Sequence, residues 1–198
     1  MNFGETLTYW YLRLNGFFPL GNFVLHRANI EDRPSADADL LAIRFPNVYE
    51  VIGGQSIDWD HRKFESWGLS LSAPLALIVE VKTGPTSGEM RAWRPERLRA
   101  ALKRFGMFQQ SEINDLAEQL QRANSVTHNT WVVAKLLLSR KSRENSLWHN
   151  LTLKDADAFI RDRLGKYKHE KNADRMFFPD DLIQYLAWKA LTDGDSTS

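Results

Sequence analysis

Four charged residues occur where a folded chain rarely places charge. Glu5 belongs to a segment that is apolar on two sides, Asp39 opens an apolar run, and Glu80 and Lys82 end the most apolar run of the chain. Because burying an unpaired carboxylate costs several kcal/mol, these carboxylates are expected to converge on something positive. Carboxylate oxygens suit a hard divalent cation such as Mg²⁺, and a lysine beside it can help to deprotonate a metal-held water.

The sequence LALIVEVK at Leu75–Lys82 predicts the clearest strand of the chain. Its first five residues are all apolar, which is typical of a strand that is covered on both faces. Glu80 and Lys82 alternate with Val79 and Val81, so both polar side chains project from one face, about 6.6 Å apart along the strand. Lys82 can there neutralise charge that develops on a reacting group.

A second strand is predicted at Ala38–Phe45, after a polar stretch. Strand alternation places Asp37, Asp39, Leu41 and Ile43 on one face. Asp37 is an alternative ligand, and Asp39 is preferred because the apolar run starts directly after it.

The segment 5–15 predicts a helix that Gly16 ends. Helical spacing leaves this segment apolar on two sides and puts Glu5 at the edge of an apolar surface, where a carboxylate needs a partner.

The remaining elements complete an α/β domain over residues 1–191. Helices are predicted at Pro95–Phe105, Ser111–Ala123, Leu153–Leu164 and Pro179–Leu191, and further strands at Phe23–His26 and Trp131–Leu138. Pro46–Ser72 is either a hairpin or an inserted loop, and a charged segment spans Gly165–Arg175. The order predicts a mixed sheet flanked by helices, with a core over about residues 1–140, a C-terminal helical part over 150–191 and a disordered tail after residue 191.

Asp39 before an apolar run, followed by Glu80-Val81-Lys82 at the end of a buried strand, resembles the signature of the PD-(D/E)XK nuclease superfamily. The resemblance implies a restriction-endonuclease-like core and Mg²⁺ as cofactor, with Mn²⁺ able to substitute. It implies that Asp39 and Glu80 bind the metal, that Glu5 completes or orients the metal site, and that Lys82 assists the attacking water and the transition state. The 40 residues between Asp39 and Glu80 require an insertion.

Each of these residues also has a purely structural interpretation. Glu5 could compensate the dipole of its own helix, and Asp39 could cap a turn before its strand. Glu80 and Lys82 could form an ion pair at the rim of the core.

A nuclease also needs a surface for the phosphate backbone. Residues 1–90 carry 7 Lys and Arg against 11 Asp and Glu, whereas residues 91–198 carry 19 against 14. The predicted nucleic-acid-binding residues directly follow the Glu-x-Lys strand: Arg91, Arg94, Arg97, Arg99, Lys103 and Arg104. Two further basic clusters contain Arg140, Lys141 and Arg143, and Lys166, Lys168, Lys171 and Arg175. Each cluster could instead be a solvated face, and Trp93 could stack on a base or belong to the edge of the core.

The expected protein is a Mg²⁺-dependent endonuclease that acts on DNA in preference to RNA, as the nuclease subunit of a phage-defence or repair system. Partners in that role would be a second copy of the chain, for cutting both strands, and a helicase, ATPase or sensor protein. The alternative is a non-catalytic protein that binds nucleic acid or a partner through the same scaffold.

The chain has no Cys, which excludes disulfides and thiolate metal sites. It also has no export signal and no apolar run of 18 residues, so a cytoplasmic protein is expected.

Overall fold

A computed structural model describes residues 1–23, 38–84, 91–143, 145–174 and 178–192. The described residues form seven α-helices: α1 (Phe3–Leu14), α2 (His61–Ser66), α3 (Pro95–Phe105), α4 (Ile113–Arg122), α5 (Leu153–Lys166), α6 (Lys168–Asp174) and α7 (Asp181–Thr192). They also form six strands: β1 (Phe18–Phe23), β2 (Ala38–Arg44), β3 (Leu75–Lys82), β4 (Ser125–His128), β5 (Trp131–Ser139) and β6 (His149–Thr152). None of the described helices is long and apolar enough to cross a membrane.

The strands form one mixed, open sheet in the order β1-β2-β3-β5-β4, with β6 also paired to β5. The first three strands are antiparallel neighbours, and β3 then pairs with β5 in parallel. Because parallel neighbours need a crossover connection, the chain between β3 and β5 passes through α3 and α4. The predicted class, an α/β protein with a mixed sheet between helices, is therefore confirmed.

Two apolar layers cover the two faces of the sheet. On one face, Leu77 and Val79 of β3 pack in a cluster with residues of α1, α5 and α7. On the other face, Ala76 and Ile78 pack in a cluster with residues of α3 and α4. Because strand side chains alternate, Glu80 continues the row of Ala76 and Ile78 and so lies on the α3 face.

The apolar patterns predict several elements closely. The strand at Leu75–Lys82 and the helix at Pro95–Phe105 have the predicted bounds, and the strand at Ala38–Arg44 ends one residue early. The first helix ends at Leu14, and Gly16 follows with φ of 77°, a left-handed conformation that suits glycine.

The first strand of the sheet differs from the prediction. It spans Phe18–Phe23 rather than Phe23–His26, and residues 24–26 lie outside the described part of the chain. This strand is hard to predict from the sequence because it contains Pro19 and Gly21, and both residue types are typical of turns. Proline is tolerated here because, among the described strands, β1 lies at the edge of the sheet and pairs with β2.

The segment Pro46–Ser72 is an insertion that carries a helix of its own. It contains a 3-10 turn at Ser56–Asp58 and helix α2, and the Phe64 ring is fully buried against Phe17. A second short helix, α6, lies in the charged segment that begins at Gly165. Of the predicted disordered tail, residues 193–198 lie outside the described residues.

Candidate active site

Two carboxylates face each other across strands β2 and β3. The antiparallel register pairs Leu40 with Val79, which sets Asp39 opposite Glu80 at the next position. The backbone N–H of Val81 donates to Asp39 Oδ2 at 2.6 Å. Residues directly opposite in an antiparallel pair share a face, so both carboxylates lie on the α3 face of the sheet.

Glu80 is the more deeply buried of the two, with 4% of the residue exposed. The Lys82 ammonium forms an ion pair with Glu80 Oε1. The backbone N–H of Ala92 donates to Oε2 at 3.1 Å. A buried carboxylate needs such a cation and such a donor to offset its lost hydration. The Lys82 side chain is 26% exposed, so it connects this buried group to solvent.

The pKa of Asp39 is raised from its ordinary value of 3.8 to about 6. Burial is the main cause, and the neighbouring Glu80 and Glu5 carboxylates add to it, whereas the Val81 N–H and Lys82 act in the opposite direction. The two neighbouring carboxylates therefore disfavour ionisation of Asp39, and a bound cation would relieve this repulsion.

Glu5 has a structural partner of its own. Its carboxylate accepts a hydrogen bond from the backbone N–H of Asn2 at 3.0 Å and a second from the Asn2 side chain, while Asn2 Oδ1 accepts from the N–H of Glu5. This reciprocal arrangement is a capping box at the start of α1. The structure thus supports the structural interpretation of Glu5 as a partner of the start of its own helix, where it also completes a capping box, and its remaining link to the site is electrostatic.

The carboxylates of Asp39 on β2 and Glu80 on β3 suit a hard cation that takes only one or two of its ligands from the protein. Mg²⁺ is commonly held by one or two carboxylates and keeps several waters. Asp39 Oδ1 accepts no hydrogen bond from the described residues, so this oxygen can accept a metal bond. Within the described ranges, no group of three or more acidic or histidine side chains is arranged to hold a metal. Asp37, the alternative ligand, lies outside those ranges.

The predicted nucleic-acid-binding residues do not form one surface. Arg94, Lys103 and Arg104 are exposed, and Arg99 is half-buried. Arg97 is only 7% exposed, because helical spacing places it beside Leu98 and Ala101 on the packed side of α3. The Arg91 side chain lies outside the described part of the structure. A phosphate-binding role therefore stays a prediction for the exposed side chains of this set, and the burial of Arg97 argues against that role for Arg97.

Trp93 belongs to the core rather than to a stacking surface. It is 8% exposed and stacks on Trp148 with ring centroids 5.0 Å apart. The Lys135 ammonium lies over the Trp93 ring, 5.7 Å from its centre. Lys135 is only 2% exposed, so its side chain does not extend into solvent from an edge of the sheet. Burial lowers the pKa of Lys135 to about 8.

Two features of the site have little signal in the sequence. The Ala92 N–H that binds Glu80 belongs to a 3-10 turn, Arg91–Trp93, and a backbone donor leaves no trace in residue type. The basic cluster that contains Arg140, Lys141 and Arg143 can be recognised in the sequence from its charges. Its position next to the Glu-x-Lys strand follows only from the structure, in which Lys82 pairs with Ser139, the residue before Arg140.

On the α3 face of the sheet, the structure thus brings together three of the four predicted site residues, Asp39, Glu80 and Lys82. Comparison of the chain with protein-family models, with curated proteins and with solved structures found no match.

Proposed function

We propose that the protein is a metal-dependent nuclease that hydrolyses phosphodiester bonds. The observation that carries the proposal is the juxtaposition of Asp39 and Glu80 on neighbouring strands, with Lys82 paired to Glu80 on the same face. The raised pKa of Asp39 supports it, because a buried carboxyl with other carboxylates nearby has the kind of perturbed pKa that clusters at functional sites.

The element order supports a restriction-endonuclease-like identity for the fold. Apart from the inserted helix α2 and the short strand β4, a helix, three antiparallel strands, a helical crossover and a parallel strand follow one another from α1 to β5. The same order is implied by the resemblance to the PD-(D/E)XK superfamily, with the Asp on the second strand and the Glu-x-Lys on the third. The insertion between these strands, with α2, packs into the core and leaves the pairing of β2 with β3 intact.

In this proposal, Asp39 and Glu80 hold Mg²⁺, for which Mn²⁺ can substitute, and the ion would supply an activated water and stabilise negative charge. The Val81 and Ala92 N–H groups fix the two carboxylates in place. Lys82 orients Glu80 and presents a cation where negative charge develops on the phosphoryl oxygens in the transition state. A third-ligand role for Glu5 remains a prediction, since its carboxylate caps α1 in this structure.

The proposed substrate is DNA in preference to RNA, contacted through exposed cations such as Arg94, Lys103 and Arg104. Such contacts give affinity without sequence preference. A role as the nuclease subunit of a phage-defence or repair system, as a homodimer or with a helicase, ATPase or sensor protein, belongs to the same proposal.

A cleavage panel tests the proposal. The purified protein is incubated with supercoiled plasmid, linear duplex, single-stranded DNA and RNA, each in Mg²⁺, Mn²⁺ or EDTA. Lys82→Ala is the test variant, and Lys154→Ala, which removes an exposed lysine of α5, is the matched control. Removal of one transition-state cation is expected to slow cleavage about 100-fold or more.

The expected result is cutting in Mg²⁺ and Mn²⁺ that is lost in EDTA and in Lys82→Ala and kept in Lys154→Ala. Equal cutting by Lys82→Ala, or cutting in EDTA, would contradict the assignment. If no substrate is cut but nucleic acid is still bound in EDTA, the result would favour the non-catalytic binding protein.

A further inference from the structure

Strand β5 ends in a basic loop, residues 140–143, that lines a cavity. The cavity has a volume of ≈ 340 Å³, at the small end of the range for ligand sites. The described residues that line it are Gly84, Arg140, Lys141, Ser142 and Arg143. Three of these five residues are cationic and none is acidic. Because a cleft lined by charges of one sign concentrates their field, this cavity suits an anion.

The cavity lies beside the candidate active site. Ser139, the last residue of β5, is the register partner of Lys82, and neighbouring strands are about 4.8 Å apart. Leu137 packs in the cluster on the α3 face, so Ser139, two residues later, lies on that face as well. Gly84, two residues after Lys82, lines the cavity from the end of β3. The cavity is therefore built from the segments that directly follow two neighbouring strands, one of which carries the Glu-x-Lys residues.

Hydrogen bonds hold the basic loop on this side of the sheet. Ser139 Oγ donates to Lys141 O at 2.7 Å, which places the loop backbone against a side chain of the α3 face. The N–H of Arg143 donates to Asn150 Oδ1 at 2.7 Å, and Asn150 Nδ2 donates to Ser139 Oγ at 2.8 Å. A loop that is fixed in this way before binding loses little conformational entropy when a ligand binds.

A nucleic-acid strand that reaches the candidate active site needs cations beside it. The two carboxylates of the site repel a phosphodiester, and the Lys82 ammonium is already paired with one of them. Helix α3 offers fewer cations than its sequence suggests, because Arg97 is buried. Arg140 and Lys141 are both exposed and line the cavity next to the end of β3. These two side chains are therefore placed to offset the repulsion.

We propose that this cavity binds one internal phosphate group of a nucleic-acid strand, close along the strand to the phosphate that the active site cleaves. Arg140 and Lys141 together neutralise this phosphate, and the fixed loop holds them in place. Contacts of this kind position a strand and give affinity without sequence preference. The inference deepens the proposed function and rests on it for the use of the site, whereas the binding itself requires neither metal nor cleavage.

The test is fluorescence anisotropy in EDTA with a labelled DNA duplex, over a series of KCl concentrations. An Arg140→Gln, Lys141→Gln double variant removes both cations. An Arg62→Gln, Lys154→Gln double variant is the matched control, because it removes the same charge from exposed positions of α2 and α5, which pack on the other face of the sheet. Gly84→Asp adds a carboxylate at the cavity, where a Cβ meets no atom of the described residues within 4 Å beyond its chain neighbours. Circular dichroism verifies that each variant is folded.

The Arg140→Gln, Lys141→Gln variant should bind the duplex at least tenfold more weakly, and the control variant should bind it within twofold of the wild-type protein. Loss of one neutralised phosphate reduces the slope of log affinity against log salt by about 0.9, whereas loss of two separate phosphate contacts reduces it by about 1.8. A reduction of about 0.9 is expected, because both cations act on one phosphate. Gly84→Asp should also weaken binding, since it adds an anion to the cavity and removes no cation.

Equal affinity in the wild-type protein and the Arg140→Gln, Lys141→Gln variant would overturn the inference. A slope reduced by about 1.8 would also overturn it, because the two cations would then contact separate phosphates on an open surface. A free phosphate ion and the end of a strand share the chemistry of an internal phosphate. Inorganic phosphate at matched ionic strength is therefore added as competitor, and duplexes with and without 5′-phosphates are compared. Displacement by micromolar inorganic phosphate, or binding that requires a 5′-phosphate, would overturn an internal phosphate as the occupant.

The two proposals fail in different ways. A protein that binds the duplex through Arg140 and Lys141 but cuts no substrate in Mg²⁺ or Mn²⁺ would contradict only the proposed function. A protein that cuts in Mg²⁺ and binds equally well without these two cations would contradict only the phosphate site.

Discussion

The raised pKa of Asp39 predicts that its ionisation destabilises the metal-free protein. The carboxyl has an ordinary pKa of 3.8 in the unfolded chain and of about 6 in the folded one. Between these values the unfolded chain has released the proton and the folded protein still holds it, so the free energy of unfolding falls as pH rises. At about 1.36 kcal/mol per pKa unit, the full loss is about 3 kcal/mol and is complete near pH 7.

Asp39→Asn removes this titration and keeps an oxygen for the Val81 N–H. Urea unfolding in EDTA is measured at pH 4.5 and at pH 7.5 for both proteins. In this window the wild-type protein loses about 2 kcal/mol that the variant does not lose, because part of the titration lies below pH 4.5. Asp181→Asn, at the exposed start of α7, controls for a general change of charge.

The refuting result is a wild-type protein and an Asp39→Asn variant whose stabilities change in parallel with pH. Magnesium adds an independent check at pH 7.5. A cation that binds only the folded state stabilises it, so Mg²⁺ should raise the free energy of unfolding of the wild-type protein and leave that of Asp39→Asn unchanged.

Three further predictions concern the scaffold, and urea unfolding at pH 7.5 measures each. Leu77→Ala, in the central strand and 1% exposed, is expected to cost about 3 kcal/mol through lost burial and a cavity, and a cost below 1 kcal/mol would contradict its place in the core. Asn15→Ala removes the acceptor of the Asp60 N–H and is expected to cost about 2 kcal/mol, whereas a neutral result would show that water replaces it. Asp58→Asn leaves Arg163 and Lys166 without their buried counter-charge and is expected to cost about 3 kcal/mol; unchanged stability would refute this ion-pair cluster.

The strands that carry the site could be predicted because their sequences are nearly all apolar. Continuous burial on both faces determines β3 and its alternation, so the common face of Glu80 and Lys82 follows from the sequence. That Asp39 lies opposite Glu80 could not be predicted from either strand alone. It depends on the antiparallel pairing of β2 with β3 across a long insertion, which tertiary packing decides.

Local hydrogen bonds account for what the sequence patterns missed. Glu5 attracts attention as a carboxylate in an apolar helix, but Asn2, three residues earlier, completes a capping box with it. Strands β4 and β6 are only four residues long and mix polar with apolar side chains, so they lack a clear period. Their places side by side along β5 exist only once both strands pair with it.

Binding of Mn²⁺, followed by electron paramagnetic resonance, tests most directly whether Asp39 and Glu80 form a metal centre. The titration compares the wild-type protein with an Asp39→Asn, Glu80→Gln double variant at pH 7.5, with Asp181→Asn as control. The account predicts one bound Mn²⁺ per wild-type and control chain, displaced by excess Mg²⁺, and none at this site in the double variant. Equal binding by wild-type protein and double variant, or no binding by either, would contradict it.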